Sequence, residues 1–346
     1  MHTETNDMAT QAAEILKPAP FGTVFTHNMV VNYYSNGVWG SHTLDKTAPF
    51  SLHPGAHVFH YASTCFEGLK AYRRDDGSVH IFRLGAHIER MRQSARLLQL
   101  PEPDAAVLRD MILEGVRASR SEIPAYPGAL YIRPTLIGTQ VNIGAAATAT
   151  TEATLFVLFS PVGDYFQGGQ RPLRILVEDQ AMRATPEFGM AKTGGSYAAA
   201  LSHITRAKNE YQADQVLFCP GGDVQETGAA NFLLINDNEI LTKQLDSSFL
   251  HGVTRDSALT IAPELGYKVS ERNFNVDEML DWVKTGEAAL SGTAAVLAGV
   301  GTLIYKGQEY SVGTGNIGTN TEKLRSVLTE LQSGEAKDAH GWLTNV

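Results

Sequence analysis

Gly189-Met-Ala-Lys192-Thr-Gly-Gly-Ser-Tyr197-Ala places one lysine among small residues, with an aromatic hydroxyl shortly after it and Ala198–Leu201 opening a helix-like run. A lysine with no bulk around it can lie close under a flat ligand. Gly194 and Gly195 carry no side chain and tolerate positive φ, which would let the backbone approach as well. By itself the stretch also reads as a surface lysine on a glycine-rich turn. It is not a nucleotide-phosphate loop: that motif needs its lysine directly before the Ser/Thr, and here the residue before Ser196 is Gly195.

The 346 residues are 43% hydrophobic and 19% charged, an ordinary globular composition long enough for two domains. A formal net charge of −9 argues against a nucleic-acid backbone as partner. The two cysteines, Cys65 and Cys219, form no metal-ligand or CxxC pattern and read as buried free thiols in a reducing compartment; no metal site is expected. No lysine or arginine precedes Lys17, so the N-terminus does not read as a secretory signal. The most apolar uncharged stretch, Ala288 to Tyr305, contains Gly292, Gly299 and Gly301 and reads as strand and loop rather than a membrane span. A cytoplasmic protein is expected.

Working outward, residues 1 to about 20 read as a loose arm. Ser35-Asn36-Gly37 and Asp75-Asp76-Gly77 each predict a hairpin, between Met29–Tyr34 and Val38–Trp39 and between Leu69–Tyr72 and Ser78–Phe82. Such pairing is antiparallel, so this half is not a doubly wound parallel fold. Ile88, Met91, Ala95 and Leu98 make one helical face, and Val107, Met111, Ile112 and Val116 another within Asp104–Arg120. Strands follow at Ala129–Ile137 and Thr154–Phe159. The Gly- and Pro-containing run 161–170 reads as a connection, ordered by Tyr165 and Phe166.

Beyond it, Leu173–Val177 reads as a strand and Ser196–Tyr211 as a helix. Gln215–Cys219 and Asn231–Asn236 read as strands around the turn Gly221-Gly222-Asp223. Thr254–Leu265 reads as a helix with Thr254 as N-cap and Gly266 as stop, Pro263 being the objection. A last helix opens with the capping box Thr319-x-x-Glu322 and stops at Gly334. The expected organisation is a small α+β domain over 1–160, a connection over 161–170, and a larger domain over 171–346.

Three further stretches carry chemistry. In Gln225-Glu226-Thr-Gly-Ala-Ala-Asn231, Glu226 is either a turn carboxylate or one held beside a ring nitrogen. Gly252-Val253-Thr254 at a helix start and Ser291-Gly292-Thr293-Ala294 after a strand could each present amides and hydroxyls to an anion. Tyr131 and Arg133 alternate onto one face of a strand, and an arginine in so apolar a strand requires an anion, structural or substrate.

In this order and spacing the set resembles the class IV pyridoxal-phosphate aminotransferases, most closely the branched-chain amino acid aminotransferases. Phe66-Glu-Gly-Leu-Lys-Ala-Tyr72, His87-x-x-Arg90-Met91 and Pro161-Val-Gly-Asp-Tyr-Phe-x-Gly-Gly169 carry the likeness as well. The resemblance implies a two-domain α+β fold of fold type IV, the D-amino-acid-aminotransferase-like class, with mixed and antiparallel sheets. It implies pyridoxal 5'-phosphate, with Lys192 as its Schiff-base lysine. Glu226 would meet the ring nitrogen and Tyr197 the ring hydroxyl; Arg90, the Val253 amide, Thr254 and Thr293 would meet the phosphate.

The side-chain pocket would comprise Tyr61, Phe66, Tyr197 and Ala145, the last on a loop donated by a second subunit of a homodimer or larger homo-oligomer. Arg133 and Tyr61 would take the distal carboxylate of glutamate; Tyr131 and the Thr293–Ala294 amides would take the α-carboxylate. The implied reaction moves the amino group of L-leucine, L-isoleucine or L-valine to 2-oxoglutarate, giving branched-chain 2-oxo acids and L-glutamate. A D-amino-acid or (R)-amine transaminase, an aminodeoxychorismate lyase, and a non-catalytic cofactor-binding protein are the alternatives. Ser196 and His251 depart from the family pattern, which often has Asn and Pro there. Ala295-Val-Leu-Ala298 lacks the Cys-x-x-Cys of mammalian members, so no such redox switch is expected.

Overall fold

The computed structural model describes residues 20–163 and 169–346. The expected N-terminal arm and the aromatic pair Tyr165–Phe166 lie outside the described residues. The chain divides into two compact units. The first takes in the described residues up to 163, Ala191–Gly194 and Leu331–Val346; the second takes in those from 169 to Met190 and Gly195–Glu330. Lys192 and the C-terminus therefore belong with the first unit.

The first unit is built on one antiparallel sheet. Its strands are β1 (Asn28–Ser35), β2 (Val38–Trp39), β3 (Thr43–Lys46), β4 (Thr64–Phe66), β5 (Leu69–Arg73), β6 (Val79–Phe82), β7 (Ala129–Gly138), β8 (Ala153–Val162) and, from the chain's end, β17 (Leu343–Asn345). The main order is β17-β6-β5-β7-β8-β1-β2, with β3 on β1 and β4 on β7. Both predicted hairpins form: Asn36 and Gly37 adopt φ of 52° and 82°, as a two-residue turn requires, and Gly77 adopts 81°. Pro161 and Val162, expected in the connection, instead complete β8 opposite Leu130 and Ala129. Pairing with β1 has ended at Val157, so Pro161 has no ladder partner to deprive on that side.

Among the described residues this unit contains the helices α1 (His57–Tyr61), α2 (Leu84–Leu97) and α3 (Ala105–Ala118). Asp104 caps α3, accepting from the Ala106 and Val107 amides. Most of each predicted face is buried: Ile88, Met91 and Ala95 of α2 and Met111, Ile112 and Val116 of α3 pack with Leu69, Ile81, Leu130, Ile132 and Phe159 of the sheet, while Leu98, just past α2, and Val107 are only partly buried.

The second unit holds a mixed sheet. Its strands are β9 (Leu173–Glu178), β10 (Gln215–Phe218), β11 (Asn231–Ile235), β12 (Glu239–Thr242), β13 (Lys268–Glu271), β14 (Glu287–Gly292), β15 (Val296–Tyr305) and β16 (Gln308–Ser311), in the order β10-β9-β15-β14-β11-β12-β13 with β16 on β15. β10 pairs with β9 in parallel, and α4 (Gly194–Tyr211) supplies the crossover. The turn at 221–223 thus makes no hairpin between β10 and β11; β11 pairs with β12 and β14. The apolar stretch 288–305 forms the β14–β15 hairpin, and no described helix is long and apolar enough to cross a membrane.

Two helix starts differ from expectation. α5 (Val253–Ile261) has Gly252, not Thr254, at its N-cap, and no side chain caps it. Pro263 cannot continue α5's hydrogen bonding; a short 3-10 turn over Pro263–Leu265 follows, stopped by Gly266 at φ 91°. After α6 (Val276–Trp282), α7 (Thr319–Ser333) is capped by Glu287 of β14, which accepts from the Asn320 and Thr321 amides at 2.9 and 2.8 Å. Among the described residues that carboxylate replaces the capping box read in Thr319-x-x-Glu322. Cys65 and Cys219 are free and buried, and burial pushes both thiols well above the usual range.

Candidate active site

The lysine stretch is pinned through its backbone. In the first unit, the Lys192 amide donates to Ser94 Oγ of α2 at 3.0 Å, and its carbonyl accepts from the Phe66 amide of β4 at 3.0 Å. Thr193 Oγ1 donates to the Thr64 carbonyl at 2.7 Å. Lys192 Nζ stands 5.0 Å from the Phe66 ring centre. Gly194 and Gly195 begin α4 without positive φ, and a Cβ on Gly195 would meet open space, so their smallness clears room rather than permits a strained turn. Gly189 is the obligatory glycine: its Cβ would lie 2.1 Å from the Ser248 carbonyl carbon.

Arg133 and Tyr131 share a face as predicted, with Arg133 Nη2 donating to the Tyr131 hydroxyl at 2.8 Å. The guanidinium lies 4.6 Å from the Phe66 ring centre and 5.2 Å from that of Tyr131. Its Nε is buried without a hydrogen-bond partner, and no carboxylate pairs with it among the described residues. Gly68 leaves room for the tyrosine, since a Cβ there would lie 2.0 Å from the Tyr131 hydroxyl. Phe66, Lys192, Tyr131 and Arg133 are thus brought together.

Tyr61 and Ala145 instead line a cavity of about 380 Å³ with His57 and Ser63, in which Phe66 takes no part. Tyr61 donates to the Ile143 carbonyl of the same loop that carries Ala145.

Arg90 is not the solvated charge its helix suggests. It is 8% exposed, and its Nε and Nη2 fork onto Glu67 at 2.5 and 2.9 Å. His87 Nδ1 donates to Glu67 Oε2 at 2.8 Å. Burial alone would raise the Glu67 carboxyl, but Arg90 and then His87 outweigh it and hold it well below the usual range. Burial lowers His87 below the ordinary histidine value against the pull of Glu67. Arg92 and Arg96 on the same helix meet Glu89 and Glu102 nearer the surface.

In the second unit Glu226 is 2% exposed and stands at the base of the 227–230 turn, bridged to Asn231. Its Oε1 accepts from Arg183 Nη1 at 2.7 Å and from the Leu250 amide at 3.0 Å. Arg183, 1% exposed, also donates to the Gly228 carbonyl and lies 5.2 Å from the Tyr197 ring centre. Sequence reading passed over Arg183; its signal was an arginine among Ala181, Met182, Ala184 and Thr185 shortly before the lysine stretch.

Asn231 donates to the Leu250 carbonyl at 2.8 Å, and Gly252 must be glycine because a Cβ would lie 1.9 Å from Asn231 Oδ1. That contact places the uncapped start of α5, with Val253 and Thr254, beside the Glu226 cluster. Ser291 lies opposite Asn231 in the β11–β14 register, two residues before Thr293. The Ser291 and Ser196 hydroxyls are both buried without a hydrogen-bond partner. His251, the other departure from the family pattern, donates through Nε2 to the Asp246 carbonyl at 2.8 Å.

Each unit thus presents groups that could serve a pyridoxal-phosphate enzyme: the first a lysine beside an aromatic ring and an arginine, the second a buried carboxylate, an open helix start and orphaned hydroxyls. The chain belongs to the class IV amino-transferases: that family's model matches residues 64–302. Enzymes of this class work with pyridoxal phosphate, and the donors present here suit it.

Among curated proteins, the chain is 38% identical over 343 residues to a "Probable branched-chain-amino-acid aminotransferase" of Streptomyces coelicolor, covering 96% of this chain and 94% of that one. It is 36% identical to "Branched-chain-amino-acid aminotransferase 2" of Bacillus subtilis, with 95% and 94% covered. Among solved structures, a T.th. branched-chain amino acid aminotransferase with pyridoxamine 5'-phosphate aligns with a TM-score of 0.74 at 26% identity, over 90% of this chain and 97% of that one.

Proposed function

We propose that this chain transfers the amino group of L-leucine, L-isoleucine or L-valine to 2-oxoglutarate, as a homodimer or larger homo-oligomer in the cytoplasm. The observation that carries the substrate reading is Arg133, a cation resting on Phe66 and Tyr131 with no carboxylate partner among the described residues. Such a site accepts an apolar side chain against its rings and, in the other half-reaction, the distal carboxylate of glutamate on its guanidinium. Homologues named for branched-chain substrates support the same reading.

Pyridoxal phosphate, when bound, supplies the carbonyl that takes up the amino group and the ring that accepts electrons from the substrate α-carbon. The Lys192 amine would carry it and, once displaced, would move the proton at that carbon. Glu226, held by Arg183 and the Leu250 amide, would pair with the ring nitrogen. Tyr197 would meet the ring hydroxyl. Arg90, itself held by Glu67, the Val253 amide, Thr254 and Thr293 would be the phosphate's donors. Tyr131 and the Thr293–Ala294 amides would take the α-carboxylate, while Tyr61 and Ala145 line a cavity apart from Phe66. Apolar contacts discriminate by only about 1–3 kcal/mol per methylene, so all three branched substrates are accepted.

Steady-state assays with L-leucine, D-alanine and a chiral (R)-amine test the reading. Turnover of L-leucine with 2-oxoglutarate, far above the other two, is expected. Absence of L-leucine turnover would move the chain to another reaction of the family.

A further inference from the structure

The turn that carries Thr293 and Ala294 is held in an unfavourable backbone shape. β14 and β15 pair down to Gly292 opposite Val296, leaving three residues in the loop, and Val296 sits at φ 62°. A β-branched residue in the left-handed region is an outlier that the surrounding structure must enforce.

One guanidinium does so. Arg325, half-buried on α7, donates through Nη1 to the Ala295 carbonyl and, at 3.0 Å, to the Leu297 carbonyl. These are the carbonyls on either side of Val296. With the Gln170 amide oriented so that its oxygen faces the guanidinium, Oε1 lies 3.1 Å from Nη2. A helix, a strained turn and the last residue of the 161–170 connection therefore meet on one side chain. A three-residue loop has few backbone solutions, so fixing its final peptides restricts the amides that begin it.

We propose that Arg325 is a positioning residue: it holds the Thr293–Ala295 turn in the shape that binds a carboxylate and a phosphate, with Gln170 completing the hold. This rests on the assignment of that turn to the α-carboxylate and phosphate made above. Both the amino acid and the 2-oxo acid carry a carboxylate beside the reacting carbon. Loosening the turn therefore weakens both alike.

The test compares Arg325→Gln, Arg325→Lys, Gln170→Ala and Thr293→Ala with the wild-type holoenzyme. We expect Arg325→Gln to raise KM for L-leucine and 2-oxoglutarate together, about tenfold, with kcat changed less. Binding of the unreactive carboxylate 4-methylvalerate, followed by cofactor absorbance, should weaken by a similar factor, and pyridoxal phosphate should dissociate more readily. Arg325→Lys restores one cationic donor and should recover part of the loss. Gln170→Ala should move the same quantities in the same direction by about threefold; with Arg325→Lys it carries the test if Arg325→Gln does not fold.

The proposal is overturned if Thr293→Ala loosens pyridoxal phosphate while the Arg325 and Gln170 variants only lower the unfolding midpoint and leave KM, 4-methylvalerate binding and cofactor affinity unchanged. If Thr293→Ala does not loosen pyridoxal phosphate, the assignment of the turn to the phosphate fails and the positioning role with it.

Discussion

Arg183 and Glu226 face each other at 2.7 Å, Nη1 to Oε1, with side chains only 2% and 3% exposed. A buried pair of this kind gives little net stability, but breaking it strands a charge. Arg183→Leu should therefore lower the free energy of unfolding by about 3–5 kcal/mol, measured by urea titration. The double variant Arg183→Leu with Glu226→Gln should recover part of that loss while remaining catalytically poor. A single variant as stable as wild type would mean that the pair is hydrated.

Arg133 sits on two aromatic faces with no acid beside it among the described residues, and this predicts an asymmetric loss. Arg133→Met should lower kcat/KM for 2-oxoglutarate and L-glutamate by about 10–100-fold, the worth of a charge-assisted hydrogen bond. For L-leucine the loss should stay under about tenfold. Equal losses for the two substrate types would show that Arg133 holds the pocket together rather than reading the distal carboxylate.

His87 and Glu67 give a pH signature. Burial depresses His87, so between its folded value and the ordinary value of about 6.5 the unfolded chain binds more protons than the folded one. Stability should thus fall as pH drops below about 6.5. Glu67 is also depressed; its contribution is present above the unfolded carboxylate value of about 4.3 and disappears only at lower pH. His87→Gln should lower stability at pH 7.5 by about 1.5–3 kcal/mol and flatten the slope between about pH 6.5 and 5. An unchanged slope would assign it to other histidines.

Gly189→Ala should destabilise the chain by about 1–3 kcal/mol, because the new methyl meets the Ser248 backbone, which has no rotamer to move. Gly195→Ala, with open space above it, should leave the unfolding midpoint close to that of wild type. Thermal unfolding of the two variants side by side checks the contrast.

These residues also show what the sequence disclosed. Asn36-Gly37 and Asp76-Gly77 set their hairpins because turn chemistry is local, and the helical faces of α2 and α3 follow from spacing alone. The alternation of Tyr131 and Arg133 likewise needs only the strand period. Partners far apart in the chain were not legible. Ser94 lies 98 positions from Lys192 and Thr64 lies 129 from Thr193, and no spacing rule connects them. The N-terminus of α7 was misread for the same reason: a local capping box was at hand, but Glu287 from a strand 33 positions earlier reaches the amides. Arg183 was missed because no acid beside it in sequence marks it as paired; its acid is 43 positions on.

The central claim is that Lys192 carries a cofactor which shuttles an amino group between branched-chain amino acids and 2-oxoglutarate. A stepwise spectral titration tests it most directly. L-leucine alone should convert the wild-type holoenzyme's bound cofactor stoichiometrically to its amine form, and 2-oxoglutarate should then restore the starting spectrum; Lys192→Ala should do neither. Failure of L-leucine to change the wild-type spectrum, or full interconversion by Lys192→Ala, would contradict the account.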